Sequence, residues 1–204
     1  MIRNQRFSRI ITSLMVLFFD KKWKCLDYAG GYGLFTRIMR DIGFDFYWDD
    51  PYTENLTAKG FERVEGVKYD AVTTFESFEH FEDPLTEVKK ILQYSNTIIF
   101  STQLIPELTP KPEQWWYYGL EHGQHIALYS KKSFDVMAGK LGMTYYNIDN
   151  LHILTTHKMG AMAPLLNFKY AKHLLYAASY LLMPFLRSKT MDDMYALRSR
   201  GNRS

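Results

Sequence analysis

Short apolar runs alternate along the chain with stretches in which apolar residues recur at helical spacing. Runs rich in β-branched and aromatic residues predict strands at residues 24–27, 45–48, 69–75, 96–102, 145–148 and 151–156. Helical spacing predicts helices at residues 10–18, 34–39, 54–59, 84–92, 131–141 and 164–186. Strands and helices in alternation form doubly wound, mostly parallel sheets, so the pattern predicts an α/β fold.

Several elements carry signals at their ends. Asp83-Pro84 suits the N-cap and the first residue of a helix. Asp149-Asn150 predicts a hairpin turn, which makes the end of the sheet antiparallel. Pro184 is expected to kink or end the last apolar helix, and residues 199–204 are expected to form a frayed tail.

A glycine cluster follows the first strand and precedes a helix. Glycine allows positive φ and close approach of a ligand, and the following helix points free amides at that ligand. This arrangement predicts a nucleotide-cofactor loop; plain tight packing of a turn is the alternative. A dinucleotide fingerprint is disfavoured because Thr36 occupies the position of its third glycine. The predicted loop residues are Asp27, Tyr28, Ala29, Gly30, Gly31 and Gly33.

Two carboxylates, Asp49 and Asp50, end the second strand. Asp50 follows Gly31 by 19 residues. A carboxylate about 20 residues after such a glycine loop typically accepts hydrogen bonds from ribose hydroxyls. Asp50 is favoured because its Asp-Pro step is similar to the usual ending of this strand in the family that the glycine stretch resembles. The alternative is that Asp50 only opens a turn before Pro51.

The glycine stretch resembles motif I of the class I S-adenosylmethionine (SAM) dependent methyltransferases, Asp-x-Gly-x-Gly-x-Gly, with Asp27, Ala29, Gly31 and Gly33 in its four places. Residues 69–84 resemble the family's fourth-strand motif, which adds Phe75, Glu76 and His80 to the cofactor site. The resemblance covers residues 22–156. It implies a Rossmann-like, seven-stranded sheet with one antiparallel strand, and SAM as cofactor with S-adenosylhomocysteine as product. Residues 60–69 are short for the family's third strand and adenine loop, which leaves Phe61 and Glu62 as adenine candidates.

A long loop, residues 103–124, separates the fifth strand from the next helix, and loops of this length are usually functional. His122 and His125 are the candidate catalytic bases, because histidine can accept a proton near neutral pH. Four consecutive aromatic residues are predicted to stack on an acceptor or to form a hydrophobic lid or interface: Trp115, Trp116, Tyr117 and Tyr118. The acidic residues of 76–83 show no spacing that specifies a metal site, so no metal is predicted.

Length and charge suggest how the chain is organised. The 204 residues suit one domain, which we divide into a methyltransferase domain with an N-terminal helix (1–156) and a helical C-terminal extension (157–204). The net charge is +3, yet the extension alone carries eight basic and two acidic side chains. Cys25 is the only cysteine, so a reducing, cytoplasmic location is expected.

The sequence thus predicts a SAM-dependent O-methyltransferase acting on a small-molecule or sugar hydroxyl. The sugar class rests on a resemblance to small stand-alone methyltransferases linked to polysaccharide biosynthesis, carried by residues 27–33, 46–52 and 121–125. A catalytically silent SAM-binding module, whose C-terminal helices bind a partner, is the alternative. A nicotinamide oxidoreductase is disfavoured, and no nucleic-acid partner is expected. The basic extension leaves open a peripheral membrane contact or a homodimer.

Overall fold

The computed structural model describes residues 2–121 and 123–201, and this part of the chain contains one mixed sheet of six strands. The strands are β1 (Lys24–Tyr28), β2 (Asp45–Asp49), β3 (Ala71–Phe75), β4 (Thr97–Ser101), β5 (Thr144–Ile148) and β6 (Leu151–Thr155). The helices are α1 (Ile2–Leu17), α2 (Leu34–Ile42), α3 (Pro84–Ile91), α4 (Lys131–Leu141), α5 (Ala171–Leu182) and α6 (Thr190–Gly201). The sheet order is β2-β1-β3-β4-β6-β5, and β6 runs antiparallel to both neighbours.

Successive residues of the central strands enter two different hydrophobic clusters. Cys25, Ala71 and Ile99 pack with residues of α1, α2 and α5, whereas Leu26 and Val72 pack with α3 and α4. Side chains alternate between the two faces of a strand, so these clusters mark the two covered faces of the sheet. The prediction of a doubly wound α/β fold is confirmed.

The predicted strand count of seven is wrong for the described residues. Only one parallel bridge, between Trp48 and Glu62, lies where a strand beyond β2 would stand. It consists of hydrogen bonds from Trp48 N to Phe61 O (2.8 Å) and from Arg63 N to Trp48 O (2.7 Å). The segment between Gly60 and Tyr69 is too short to extend this pairing and still return to β3.

The predicted helix at residues 54–59 is also wrong. The amides of Leu56 and Thr57 both donate to Tyr32 O (3.1 Å each), and Asn55 Oδ1 accepts from Ala58 N (2.9 Å). These bonds replace helical ones, because the segment is tied to the glycine loop and not to itself.

The predicted helix at 164–186 is divided into a short 3-10 turn at 163–167, α5, and a second turn at 183–185. Helix α5 ends at Leu182, as expected from Pro184. It packs along α1, where Ser13 Oγ donates to Leu175 O (2.6 Å). No helix among the described residues has the length and apolar character needed to cross a membrane.

Helix α6 was not predicted, and it is anchored by buried charge. Asp193 accepts hydrogen bonds from Arg40 Nε (2.8 Å) and Nη2 (2.7 Å), and also from Arg37 Nη2 (2.9 Å). The side chains of Arg40 and Asp193 are 5% and 6% exposed. The two arginines of α2 hold the pKa of Asp193 below its usual value despite its burial. The bidentate pair therefore fixes α6 against α2.

We predict that Asp193→Asn lowers the free energy of unfolding by about 3 kcal/mol, because it leaves the buried Arg40 guanidinium without its main carboxylate. Asp192→Asn is the matched control on the same helix. Its partner is the exposed Arg187, so the loss should stay below about 0.5 kcal/mol. Urea denaturation of both variants tests this, and equal losses would contradict it.

Candidate active site

The glycine loop lies between the end of β1 and the start of α2. Ala29 takes a φ of 55° and Gly31 also takes 55°, so the backbone turns in the left-handed region at both positions. Alanine at 29 therefore adopts the conformation that a glycine favours. Gly33, at φ 83°, precedes α2, and its carbonyl accepts from Arg37 N (3.0 Å).

The end of β2 braces this loop. Trp48 Nε1 donates to Gly31 O (2.7 Å), and Gly31 N donates to Asp50 Oδ2 (2.9 Å). A Cβ on Gly30 would lie 2.9 Å from Trp48 Cδ1 and 2.8 Å from Asp27 Oδ2, so a side chain has no room there. A Cβ on Gly31 would meet nothing within 4 Å, which shows that the loop opens outward at that residue.

The two candidate ribose carboxylates have different partners. Asp50 Oδ1 accepts from Tyr52 N (2.8 Å) and Thr53 N (2.9 Å), in addition to the bond from Gly31 to its other oxygen. Asp49 stands opposite Tyr28 in the parallel ladder and accepts from Arg63 Nε (3.1 Å). Asp50 thus forms the turn that the sequence offered as its alternative role, and its oxygens keep lone pairs beyond these three bonds.

Asp27 is a buried carboxyl behind the loop. Thr73 Oγ1 donates to its Oδ1 (2.9 Å) and Thr36 Oγ1 to its Oδ2 (3.2 Å). Burial raises the pKa of Asp27 to about 7, although the two threonines oppose the shift. The residue that disfavoured a dinucleotide fingerprint, Thr36, therefore serves to hold this carboxyl.

Two cavities meet at the loop and share Ala29 and Phe75 as lining residues. The larger has a volume of about 610 Å³ and extends past Tyr28, Pro51 and Tyr52 to Glu76 and His80. The smaller, of about 240 Å³, is lined by Asp27 and Gly31 and is closed by Arg3 and Asn4 of α1. Together they form one cleft along the carboxyl ends of β1, β2 and β3, where ligands bind in open α/β sheets.

Arg3 and Asn4 were missed by the sequence reasoning. The signal available was a basic residue ahead of the first apolar run, and nothing in the sequence places that helix over the cleft. Phe75 helps to position α1, because the centroid of its ring lies 4.7 Å from that of Phe7 in α1 and 4.8 Å from that of Phe35 in α2.

Glu76 follows β3 with a φ of 55°, which is uncommon for a residue other than glycine. Its backbone N donates to Ser101 Oγ (3.1 Å), and that hydroxyl donates to Glu76 Oε1 (2.6 Å). The neighbouring strand β4 thereby fixes a left-handed turn at the wall of the larger cavity. Such strained positions cluster at functional sites.

The aromatic segment divides into buried and exposed rings. Tyr117 is fully buried and shares a hydrogen bond with Thr102 (3.0 Å), so in this structure it offers no surface to an acceptor. Trp116 is 77% exposed. Trp115 and Trp116 line a cavity of about 370 Å³, and Tyr118 Oη donates to Pro110 O (2.9 Å). An acceptor role for Trp115, Trp116 and Tyr118 stays a prediction.

The candidate base His125 lies close to the cofactor cleft. Its ring is 5.3 Å from that of His80, and its Nδ1 is 2.6 Å from Tyr117 O. His80 Nδ1 is 2.8 Å from Gln124 O. The other candidate base, His122, lies outside the described residues. His152 has a packing role, since burial lowers its pKa to about 4 and it contacts Thr102 O (3.1 Å).

The fold and the cleft are those of a class I methyltransferase. The model of a methyltransferase-domain family matches residues 2–147, so the chain belongs to that family of SAM-dependent enzymes. This confirms the predicted family and SAM as its cofactor. None of the curated proteins compared with the chain matches it.

Solved structures show the same fold. Magnesium protoporphyrin IX methyltransferase from Synechocystis PCC 6803, with bound S-adenosylhomocysteine, has a TM-score of 0.54 at 15% identity, over 75% of this chain and 82% of its own. A plantazolicin methyltransferase has a TM-score of 0.56 at 17% identity, over 86% and 79%. Mitomycin 7-O-methyltransferase has a TM-score of 0.55 at 15% identity, over 75% of this chain and 53% of its own length.

We predict that Asp27 makes stability fall as pH rises. The folded-state pKa of about 7 exceeds the usual 3.8, so the contribution is fully present below pH 3.8 and is lost as pH rises through 7. The change is on the order of 4 kcal/mol. Asp27→Asn should flatten this part of the curve, whereas Asp135→Asn, at the surface of α4, should not. Urea denaturation between pH 4 and pH 8 measures it.

Proposed function

We propose that this protein transfers the methyl group of SAM to a hydroxyl oxygen of a small molecule, with a sugar or glycan precursor as the acceptor class. The observation that supports oxygen as the acceptor atom is that the imidazole of His80 lines the larger cavity and lies 5.3 Å, ring to ring, from that of His125. A neutral hydroxyl must lose its proton as it is methylated, and imidazole accepts protons near neutral pH.

The cofactor fits the cleft as follows. Asp50, which precedes Pro51 and Tyr52 of the larger cavity, would accept hydrogen bonds from the ribose hydroxyls. Arg3 and Asp27, which line the smaller cavity, would hold the carboxylate and the ammonium of the methionine part. Phe75 and Ala29 lie where the two cavities join. Tyr28, Gly30 and Glu76 line the two cavities around these contacts, and Gly33 and Asp49 lie next to the loop.

The reaction needs little from the protein beyond placement. The acceptor oxygen attacks the methyl carbon in line with the breaking S–C bond, whose electron pair returns to sulfur and leaves S-adenosylhomocysteine. The protein orients the two reactants and removes the acceptor proton. His125 and His122 are the candidate bases.

The chemistry of proteins with the same fold is consistent with such an acceptor. Mitomycin 7-O-methyltransferase is by its name an O-methyltransferase of a small molecule, and magnesium protoporphyrin IX is also a small molecule. The sugar class rests on the sequence resemblance. The single cysteine, Cys25, is buried in β1 as a thiol, which supports a cytoplasmic location.

We predict that Asp50→Ala weakens SAM binding by about 10- to 100-fold, because it removes hydrogen bonds to a charged group. Asp49→Asn is the control; it lies one residue away and should change the affinity much less. Isothermal titration calorimetry with SAM and S-adenosylhomocysteine measures both. Since Asp50 also braces Gly31, the thermal stability of each variant must be compared, and a loss in Asp49→Asn alone would assign the ribose to Asp49.

Methyl transfer itself is tested with radiolabelled SAM and a panel of hydroxyl acceptors that includes sugars and glycan precursors. His125→Ala should reduce kcat by about 100-fold or more with little change in SAM affinity, as expected for loss of a general base. His173→Ala, an exposed histidine on α5, should retain full activity. Transfer only to amines or thiols would contradict the proposal.

A silent SAM-binding module is the second candidate, and exposed apolar side chains in the C-terminal segment favour it. Leu174, Leu181 and Phe185 are 61%, 74% and 85% exposed. They suit a partner, a second copy of the chain or a membrane surface. SAM binding without transfer to any acceptor, together with liposome flotation or a dimer in light scattering, would favour this candidate.

A further inference from the structure

Glu79 is an unusual residue in this structure. It is 0% exposed, and neither carboxylate oxygen has a partner at full hydrogen-bond geometry among the described residues, although the Tyr117 phenol is near enough to interact with it. The nearby phenol of Tyr117 shares its hydrogen bond with Thr102. A buried carboxylate without a partner is costly, and buried charges are normally paired or bound to a metal.

Two hydrogen bonds fix the Glu79 backbone, and they limit where its side chain can lie. Its carbonyl accepts from both Ile126 N (2.9 Å) and Ala127 N (3.0 Å). These two bonds join the turn after β3 to the segment that contains His125. A further hydrogen bond, between His80 Nδ1 and Gln124 O, joins the same two segments.

The two histidines at this junction have defined tautomers. His80 Nδ1 faces Gln124 O, and His125 Nδ1 faces Tyr117 O. A carbonyl oxygen can only accept, so Nδ1 is the protonated nitrogen of each neutral ring and Nε2 carries the lone pair. Metal-binding histidines usually have this arrangement, in which one nitrogen donates to a backbone carbonyl and the other faces the ion.

We propose that Glu79, His80 and His125 bind a divalent transition-metal ion such as Zn²⁺, Co²⁺ or Mn²⁺. One ligand atom from each of the three residues lies within 4.8 Å of the others. Around a tetrahedral ion with bonds of about 2.1 Å, the ligand atoms lie about 3.4 Å from one another. Side-chain movements that shift these atoms by about 1 Å would complete the site.

The donor set decides the class of ion. Two imidazoles and one carboxylate suit Zn²⁺, Fe²⁺, Co²⁺ and Mn²⁺, whereas Ca²⁺ prefers oxygen ligands alone. Glu76 is close enough for its negative charge to act on Glu79, which further favours a cation at this place. Three protein ligands leave a position open for a water or an acceptor oxygen.

The place of the ion suggests its use. His80 lines the larger cavity together with Ala29 and Phe75, so the ion lies at the wall of the cofactor cleft. A hydroxyl bound to such an ion loses its proton more easily than a free one, and the ion then replaces imidazole as the activating group. This role rests on the proposed function, whereas the binding itself does not.

Sequence spacing could not reveal the site. Glu79 and His80 are adjacent in the chain, but His125 comes from the far side of the long loop, and only the folded chain brings it to them. Of the acidic residues of 76–83, for which the sequence predicted no metal site, Glu79 belongs to the set, whereas Glu82 and Asp83 do not. Asp83 instead caps α3 by accepting from Leu85 N and Thr86 N (3.2 Å each).

The test uses the tag-free chain, treated with chelator and titrated with Co²⁺ in the absence of SAM and acceptor. Calorimetry and the visible absorption of Co²⁺ should show one site per chain, and Co²⁺ should raise the melting temperature. Glu79→Gln keeps the side-chain volume and removes the charge. We expect it, and His125→Ala, to weaken Co²⁺ binding by about 100-fold or more.

His173→Ala is the matched control, because it removes an exposed imidazole far along the chain and should leave Co²⁺ binding unchanged. Circular dichroism of Glu79→Gln establishes that the variant is folded, so that loss of binding reflects loss of a ligand. Stoichiometric binding that survives in Glu79→Gln, or no binding by the wild type, would overturn the proposal. Because no cofactor is present, the result is independent of whether methyl transfer is found.

Discussion

The hydrogen bonds of Gly31 organise the cofactor cleft. Its carbonyl accepts from the Trp48 indole and its amide donates to the Asp50 carboxylate, so both backbone polar groups of this one residue are held by side chains at the end of β2 and just beyond it. A left-handed turn without such restraints would exchange among several backbone conformations. Here the end of β2, which is followed by the candidate ribose ligand Asp50, also holds the glycine loop. One set of contacts therefore fixes the loop and the candidate ribose ligand relative to each other.

The same loop is supported from behind by the C-terminal segment. Helix α2 begins directly after Gly33, and its arginines hold Asp193 of α6. Helix α5 packs on α1, which places Arg3 and Asn4 over the smaller cavity. The extension thus contacts both helices that border the cleft, and we regard residues 157–201 as a structural part of the site. The apolar residues of α5 that pack against α1 therefore help to hold α1 in place over the cleft.

Much of the fold could be predicted because it depends on local patterns. The strands, the Asp83 cap and the antiparallel turn at Asp149 each follow from short stretches of sequence. The errors arose where distant groups compete for backbone amides. Residues 54–59 have a helical pattern, but Tyr32 O takes two of their amides. Helix α6 is weakly amphipathic, and its partner Arg40 is remote in sequence.

Motifs predicted the glycine loop and Glu76, and residues of both line the two cavities because they lie close to the ends of their own strands. The binding roles of these residues and of Asp50 stay predictions. Arg3, the burial of Tyr117 and the meeting of Glu79 with His125 depend on how separate segments pack. No periodicity or spacing within one segment encodes such contacts, so the structure was needed to find them.

The short segment after Gly60 has a consequence for how the sheet meets solvent. With a single bridge in place of a strand, most of the outer side of β2 has no regular strand beside it in the part of the chain that the structure describes. Exposed edge strands can pair with other chains and start aggregation. The ion pair between Arg63 and Asp49 places charge at this edge, a feature by which natural sheets discourage such pairing. We therefore expect the charged segment 61–63 to oppose self-association at this edge of the sheet.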